Sequence, residues 1–462
     1  VHRRIHAAHS KNPVRQRDFQ KSHVGSRRGN AIGQRKSRRS KLLKGECSLE
    51  NRVVITGLGV ISPIGIGKET FWTSLIAGKN GIDRITRFDP TDYPCQIAGE
   101  VNDFNSDDFI DKKEVKRMDR FTQFALAASK LAVEDAKLDF DAVDRNRVGV
   151  FIGAGIGGMD TLHTQYQRLF EKGPTRISPF FIPMMIANLA AGQVAIEFKI
   201  HGPASCIVTA CASGTDCIGD ALRVVQRGDA DIMIAGGTEA AISPAGVAGF
   251  CTMKALCFDH NDDPAHASRP FDKNRSGFIM GEGSGIVLLE NLEHAKKRGA
   301  HIYAELSGYG RTADAHHITS PAPHGEFQGL CMKQAIEDAK LRPEQIDYVN
   351  AHGTSTHQND ACETEAIKTI FGEHAKKLAV SSIKSMTGHL LGAAGGIECI
   401  ATALTIERGI IPPTINYETQ DEGLDLDYVP SKAREQKVDR AISNSFGFGG
   451  QNACIVLERF AD

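Results

Sequence analysis

From residue 52 onward, short unbroken apolar runs alternate with longer stretches in which apolar positions recur every three or four residues. Residues 52–60 (Arg52-Val53-Val54-Ile55-Thr56-Gly57-Leu58-Gly59-Val60), 148–152 and 231–236 read as strands. Their Val/Ile runs lack polar alternation, which predicts a sheet covered on both faces. Residues 121–137 and 183–198 carry the helical period between them. Strands alternating with helices predict an α/β architecture with mostly parallel strands.

The pattern also repeats. Residues 53–59 resemble residues 302–309, and the Gly-rich turn and apolar strand at residues 281–290 are echoed at residues 449–458. This predicts two related halves, residues 52–300 and residues 301–460, forming one body.

Composition narrows the class. The chain has 462 residues, 41% of them hydrophobic, which supplies a sizeable core and excludes wholesale disorder. The formal net charge of -1 argues against a nucleic-acid binder. That balance is uneven, because fourteen of the 55 Lys and Arg lie in residues 1–45 beside a single acid, Asp18. Residues 1–45 therefore read as a basic, disordered leader outside the fold. A translated stretch without function is the favoured reading, with a targeting presequence or a partner-binding arm as alternatives. The Gly/Ala-rich stretch at residues 388–406 contains His389 and Glu398, so no membrane span is expected. The 11 cysteines show no metal-ligand spacing and suit a reduced, intracellular setting.

Four segments carry candidate chemistry. Cys211 lies where a short apolar run gives way to small residues and then a helical stretch. There the unpaired N–H groups of a helix start would favour thiolate. His352 stands at the end of an apolar run, before Gly353 and the hydroxyls of Thr354, Ser355 and Thr356. Lys384 and His389 follow a second such run. A cysteine with two histidines on loops after strands forms the set a thioester enzyme needs: a nucleophile and two imidazoles that polarise a carbonyl. Metal binding is the weaker rival, since neither histidine has a partner ligand at helical spacing. The fourth segment, residues 444–452, is Gly-rich and could offer the Phe448 amide as an oxyanion donor. Residues 153–158 fit G-x-G-x-x-G, a weak dinucleotide signal whose plainer reading is a turn with Ile156 as an apolar wall. His316 and His317 are adjacent and read as surface residues.

Across residues 52–459 the chain resembles the β-ketoacyl-[acyl-carrier-protein] synthases, elongating type II-like, of the thiolase-like superfamily. The resemblance rests on Thr209-Ala210-Cys211-Ala212-Ser213-Gly214, His352-Gly353-Thr354-Ser355-Thr356, Lys384-Ser385-Met386-Thr387-Gly388-His389 and the Gly-Phe448-Gly-Gly loop. It implies a five-layered αβαβα fold of two pseudo-duplicated halves and a homodimer. It implies decarboxylative condensation of an acyl-enzyme with malonyl-[acyl-carrier-protein], a two-carbon elongation in fatty acid biosynthesis. By position, Cys211 takes the acyl group, and His352 and His389 hold the malonyl thioester. Lys384 and Glu363 organise the site, and the amides of Cys211 and Phe448 form the oxyanion hole. Ile156 matches the acyl-pocket wall and Phe446 the entry gate, and Thr354 and Thr356 lie on the substrate path. Lys113, Lys116, Arg117 and Lys254 match contacts to an acidic acyl-carrier protein. That partner carries the phosphopantetheine, so the resemblance implies no metal or cofactor of the chain's own, no nucleic acid and no membrane. The implied compartment is the cytoplasm, or a mitochondrion or plastid if residues 1–45 are a transit peptide. His357, Gln358, Asp216, Cys217 and Gln451 depart from the common family pattern and bear on fine specificity. A polyketide-type ketosynthase, an idle chain-length partner and a coenzyme A thiolase are the alternatives.

Overall fold

A computed structural model describes residues 51–461. The basic segment 1–45 lies outside the described residues. In chain order the main strands are β1 (Val53–Ser62), β2 (Val148–Gly153), β3 (Ala204–Ser205), β4 (Ile232–Glu239) and β5 (Gly283–Asn291). They are followed by β6 (Ala304–Ala313), β7 (Tyr348–Asn350), β8 (Ala379–Ser381), β9 (Arg440–Gly447) and β10 (Gln451–Glu458). The helices that define the layers are α1 (Arg120–Asp135), α2 (Leu189–Phe198), α3 (Ser213–Gln226), α4 (Glu326–Asp338), α5 (His357–Phe371) and α6 (Ala394–Arg408).

The first five strands lie in the order β3-β2-β4-β5-β1 and the last five in the order β8-β7-β9-β10-β6. Each set thus runs third, second, fourth, fifth, first, with two parallel pairings followed by two antiparallel ones. The sets meet where β1 pairs antiparallel with β6, Val54 opposite Glu305 and Ile55 opposite Ala304. The expectation of mostly parallel strands is corrected, since five of these nine pairings are antiparallel. Unbroken apolar runs report cover on both faces, and the layering supplies that cover whatever the strand direction.

Helices α3 and α6 pack against each other and against strands of both sets, forming a central layer. Helices α1 and α2 cover the outer face of the first set, and α4 with α5 the outer face of the second, which makes five layers. Burial follows the layering: every residue of α6 from Ala394 to Ile406 is buried. A single apolar cluster joins β1, α3, β6 and α6. On the outer side α1 lies so near β1 that a Cβ at Gly59 would stand 1.9 Å from the Ala128 carbonyl, so only glycine allows the approach. The helical run predicted over 183–198 divides into Phe181–Met185 and α2, because Ile186 adopts extended dihedrals between them.

Candidate active site

The repeated topology brings the reactive side chains together. In each half the third strand leads through a single-turn 3₁₀ segment into a central helix. In the first half the turn is Ala210–Ala212, entering α3, and in the second it is Leu391–Ala393, entering α6. Each turn opens on a left-handed non-glycine residue, Ala210 at φ 50° and Leu391 at φ 49°. Such conformations persist where surrounding packing over-determines them, often at functional sites. Cys211 follows the first strained residue and His389 precedes the second by two positions. Because α3 and α6 pack together, their starts place Cys211 and His389 in one cavity. The strand expected before Cys211 covers only Ala204–Ser205, and residues 206–209 run on without sheet pairing.

The cavity has a volume of about 360 Å³ and is lined by Cys211, His352, His389, Phe446 and Phe448, with Thr354, Thr356 and Lys254 also in its walls. His352 follows β7, and its ring meets that of His389 edge-on with centroids 5.2 Å apart. Phe446 stands 5.6 Å from the His352 ring. The Glu363 carboxylate, on α5, fixes the backbone of the His352 turn by accepting from the His352 and Gly353 amides at 2.8 Å each. The Asn444 side chain donates to the same carboxylate at 3.1 Å. Beneath the rings the buried Lys384 ammonium faces His352 Nδ1 at 3.4 Å and forms an ion pair with Glu398 of α6. Thr354 and Thr356 hydroxyls share a hydrogen bond of 2.9 Å.

Electrostatics follow from this burial. Burial holds the His352 imidazole well below its ordinary range, and Lys384 and His389 add to the effect. His389 is held low by burial and then by Lys384. Both rings are therefore neutral at pH 7. With Nδ1 of His352 accepting from Lys384, the ring proton of a neutral His352 sits on Nε2. Among the described residues, neither ring nitrogen of His389 has a hydrogen-bond partner. Burial pushes the Cys211 thiol up to about 12, outweighing the Lys384 charge and the Phe448 amide that donates toward the sulfur. Against the expected thiolate, desolvation of the buried sulfur favours the thiol form. The Phe448 segment reaches that close only through Gly447, where a Cβ would stand 2.6 Å from the Thr209 carbonyl and 3.2 Å from the Cys211 amide.

Two family models match the chain: Beta-ketoacyl synthase, N-terminal domain over residues 50–295, and Beta-ketoacyl synthase, C-terminal domain over residues 303–418. The chain belongs to the β-ketoacyl synthase family.

Among curated relatives, "3-oxoacyl-[acyl-carrier-protein] synthase 2" of Synechocystis sp. is 54% identical over 411 residues, 89% of this chain and 99% of the relative. The protein of the same name from Staphylococcus aureus strain COL is 53% identical over 413 residues, again 89% and 99%. Among solved structures, a ketosynthase in complex with its type II PKS acyl-carrier protein superposes with a TM-score of 0.83 at 36% identity, covering 89% of this chain and all of that one. The fold is that of the thiolase-like ketosynthases.

Of the residues the sequence singled out, the cavity unites Cys211, His352, His389, Phe446, Phe448, Thr354, Thr356 and Lys254. Lys384 and Glu363 stand behind His352, both fully buried. Ile156 does not line the cavity and is 37% exposed. Lys113 lies on the short helix Lys112–Val115, followed by Lys116 and Arg117, all exposed and away from the cavity walls. Arg117 pairs with Glu114 at 2.8 Å and lies over the Phe180 ring. The dinucleotide reading of residues 153–158 fails, because the Gly155, Ile156 and Gly157 amides that would cradle phosphate donate to the Glu239 carboxylate. His316 and His317 are exposed, as expected. His357 and Gln358 line the cavity, so those departures from the family pattern do face the ligand path. Asp216, on α3, accepts from the Tyr309 and Thr209 hydroxyls.

Two residues escaped the sequence. Glu398 is the ion-pair partner of Lys384, and its signal was an acid inside the apolar run from Ala394 to Ile406, which demands a buried cation. Glu239 ends a fully buried strand, a position where an acid needs several donors.

Proposed function

We propose that the chain catalyses the decarboxylative Claisen condensation of an acyl-enzyme with malonyl-[acyl-carrier-protein], giving 3-oxoacyl-[acyl-carrier-protein] in the elongation of fatty acids. The supporting observation is the convergence of Cys211 with two neutral imidazoles in one buried cavity, beside the Phe448 amide.

The Cys211 sulfur adds to the acyl thioester carbonyl, and the Cys211 and Phe448 amides receive the developing oxyanion. The carrier's C–S bond breaks and the cysteine proton leaves with the freed carrier thiol. Preorganised donors of this kind are worth about 3–4 kcal/mol each in the transition state. The malonyl thioester then enters. Nε2–H of His352 and an N–H of His389 donate to its carbonyl oxygen, so loss of CO2 leaves an enolate held by two neutral donors. The enolate carbon attacks the acyl-sulfur carbonyl, the new C–C bond forms, and the Cys211 sulfur departs and regains a proton. Neutral imidazoles suit this role because each keeps an N–H without adding charge to a dry site. Lys384 fixes the His352 tautomer, Glu363 fixes its backbone, and Phe446 packs against its ring at the gate. Ile156 bounds the acyl chain, and Thr354 and Thr356 meet the substrate arm. The chemistry calls for no metal or cofactor of the chain's own, since the phosphopantetheine belongs to the carrier.

The partner is an acyl-carrier protein, received by Lys254 at the cavity and by Lys113, Lys116 and Arg117 on the exposed basic segment. A homodimer is supported by the exposed edge strand β3 and by Val208 and Ile196, which are 54% and 67% exposed. Residues 52–300 and 301–460 are the two duplicated halves. The proposed compartment is the cytoplasm, where the ten free cysteines of the described residues would stay reduced.

Incubation with acyl-carrier thioester should add one acyl mass to Cys211, read by intact-protein and peptide mass spectrometry, and malonyl-carrier should then release CO2. Absence of the adduct would refute the proposal and favour an idle chain-length subunit.

A further inference from the structure

Glu239 is the last residue of β4 and is fully buried. Its carboxylate accepts from four main-chain amides: Gly155 at 2.7 Å, Ile156 at 3.3 Å, Gly157 at 3.3 Å and Gly392 at 3.1 Å. Three of these donors belong to the loop that carries Ile156, and the fourth to the turn that follows His389. Burial pushes the acid up to about 7 against the pull of those amides. No step of the condensation described above uses this group.

The loop it holds lies against the nucleophile. A Cβ at Gly153 would stand 2.5 Å from the Ser213 carbonyl, one at Gly155 3.3 Å from the Ala210 carbonyl, and one at Gly392 2.3 Å from the Gly155 amide. Glycine backbone therefore fills the space between Cys211's turn, the Ile156 loop and the turn after His389. None of residues 153–158 lines the cavity that holds the two imidazoles. On the reading given under Proposed function, the substrate arm fills that cavity from the Lys254 side and ends at the sulfur. The acyl tail attached to the same sulfur must continue beyond it, into the side closed by the Ile156 loop.

We propose that Glu239 is a positioning residue that clasps the Ile156 loop to the turns around Cys211 and so sets which acyl chains the sulfur accepts. An ionised carboxylate is acceptor-only and can serve four N–H groups converging from two segments. An amide in its place would turn an NH2 toward those donors. Loss of the clasp frees the loop from the turn at Gly392, while the His352 turn keeps its own anchor in Glu363. The inference rests on the proposed acylation of Cys211 and makes a separate claim about selectivity.

The experiment measures acyl transfer to Cys211 of the full chain from a ladder of short to long saturated acyl-carrier thioesters. It compares wild type, Glu239→Gln, Ile156→Ala and the double variant. The expected result is a change of about tenfold or more in the long-to-short rate ratio in Glu239→Gln, the scale of one charge-assisted hydrogen bond. The malonyl-carrier KM should stay within about twofold. In the Ile156→Ala background the same substitution should leave the ratio where Ile156→Ala alone puts it, because both act through one wall. A common slowing at all lengths, an unchanged ratio or independent effects of the two substitutions overturn the proposal. Gly155→Ala sets a Cβ 2.8 Å from the Glu239 carboxylate and disturbs the same clasp from the loop side; it is read by the same ratio if the Gln protein does not fold. A wild type that takes no acyl group from any thioester overturns the function and this inference together. A wild type that acylates, beside variants with an unchanged ratio, overturns this inference alone.

Discussion

The Lys384 ammonium lies 3.4 Å from Nδ1 of His352 and pairs on its other side with Glu398, all three groups being buried. One cation thus joins the imidazole that faces the substrate to an acid in the central helix. Removing it has two separable consequences. Lys384→Met leaves Glu398 buried without a partner and should cost about 3–5 kcal/mol of stability in denaturant titrations. Lys384→Met with Glu398→Leu should recover most of that loss, yet malonyl-dependent CO2 release should stay low because His352 has lost the donor that fixes its tautomer. Recovery of both quantities would show that Lys384 serves only the fold.

His389 presents two ring nitrogens without partners among the described residues, in a buried site. A group left so is costly to fold and available to a ligand. His389→Leu should raise unfolding free energy by about 1–2 kcal/mol. It should lower CO2 release by roughly 10²–10³-fold, the scale of one oxyanion donor. Calorimetry and a radiolabelled-malonyl assay read the two effects.

The imidazoles also predict a pH dependence of stability. Both are held well below 6.5 in the folded chain, so below about pH 6.5 the unfolded state binds more protons and stability falls as the pH falls. Glu239 and Glu363, raised to about 7, act in the opposite sense between their unfolded value near 4.5 and pH 7. Comparison of wild type with His389→Leu isolates one imidazole. The stability gap between the two should widen by up to about 1.4 kcal/mol per pH unit as the pH drops from 6.5 to 5. A constant gap would mean that His389 is not depressed.

Cys211 carries a thiol pushed up to about 12. Its alkylation by iodoacetamide should be slower at pH 7 than that of free cysteine and should rise about tenfold per pH unit toward that value. A plateau below pH 8, read by intact mass, would reveal a thiolate at rest.

The exposed Lys116 should contribute to carrier binding through long-range charge. Lys116→Glu with Arg117→Glu should weaken carrier-protein binding several-fold at low salt and little at high salt, where such charges are screened. Binding curves that coincide at low salt would place the carrier elsewhere.

Much of the fold was legible because burial writes itself into local pattern. The runs at Val53, Val148 and Ile232 are strands, and the likeness of residues 53–59 to 302–309 corresponds to β1 and β6, which occupy the same place in two identical strand orders. Strand direction was not legible, since an apolar run looks the same in a parallel or an antiparallel pairing when both faces are covered. The residue set of the site was legible for a similar reason. Cys211, His352 and His389 sit in short motifs whose glycines and hydroxyls mark strand-end loops, and the order of those motifs identifies the family.

The meeting of Cys211 with the two histidines was decided only by the tertiary structure, because residues more than a hundred positions apart come together only when the two central helices pack start to start. The same holds for charge. A sequence shows a cysteine before a helix, but whether the sulfur rests as thiol or thiolate depends on how much water the surrounding layers remove, and here burial wins over Lys384 and the Phe448 amide. Glu398 and Glu239 make the point from the other side: the chain shows two acids in apolar surroundings, and only the packed layers reveal that one faces an ammonium and the other four amides.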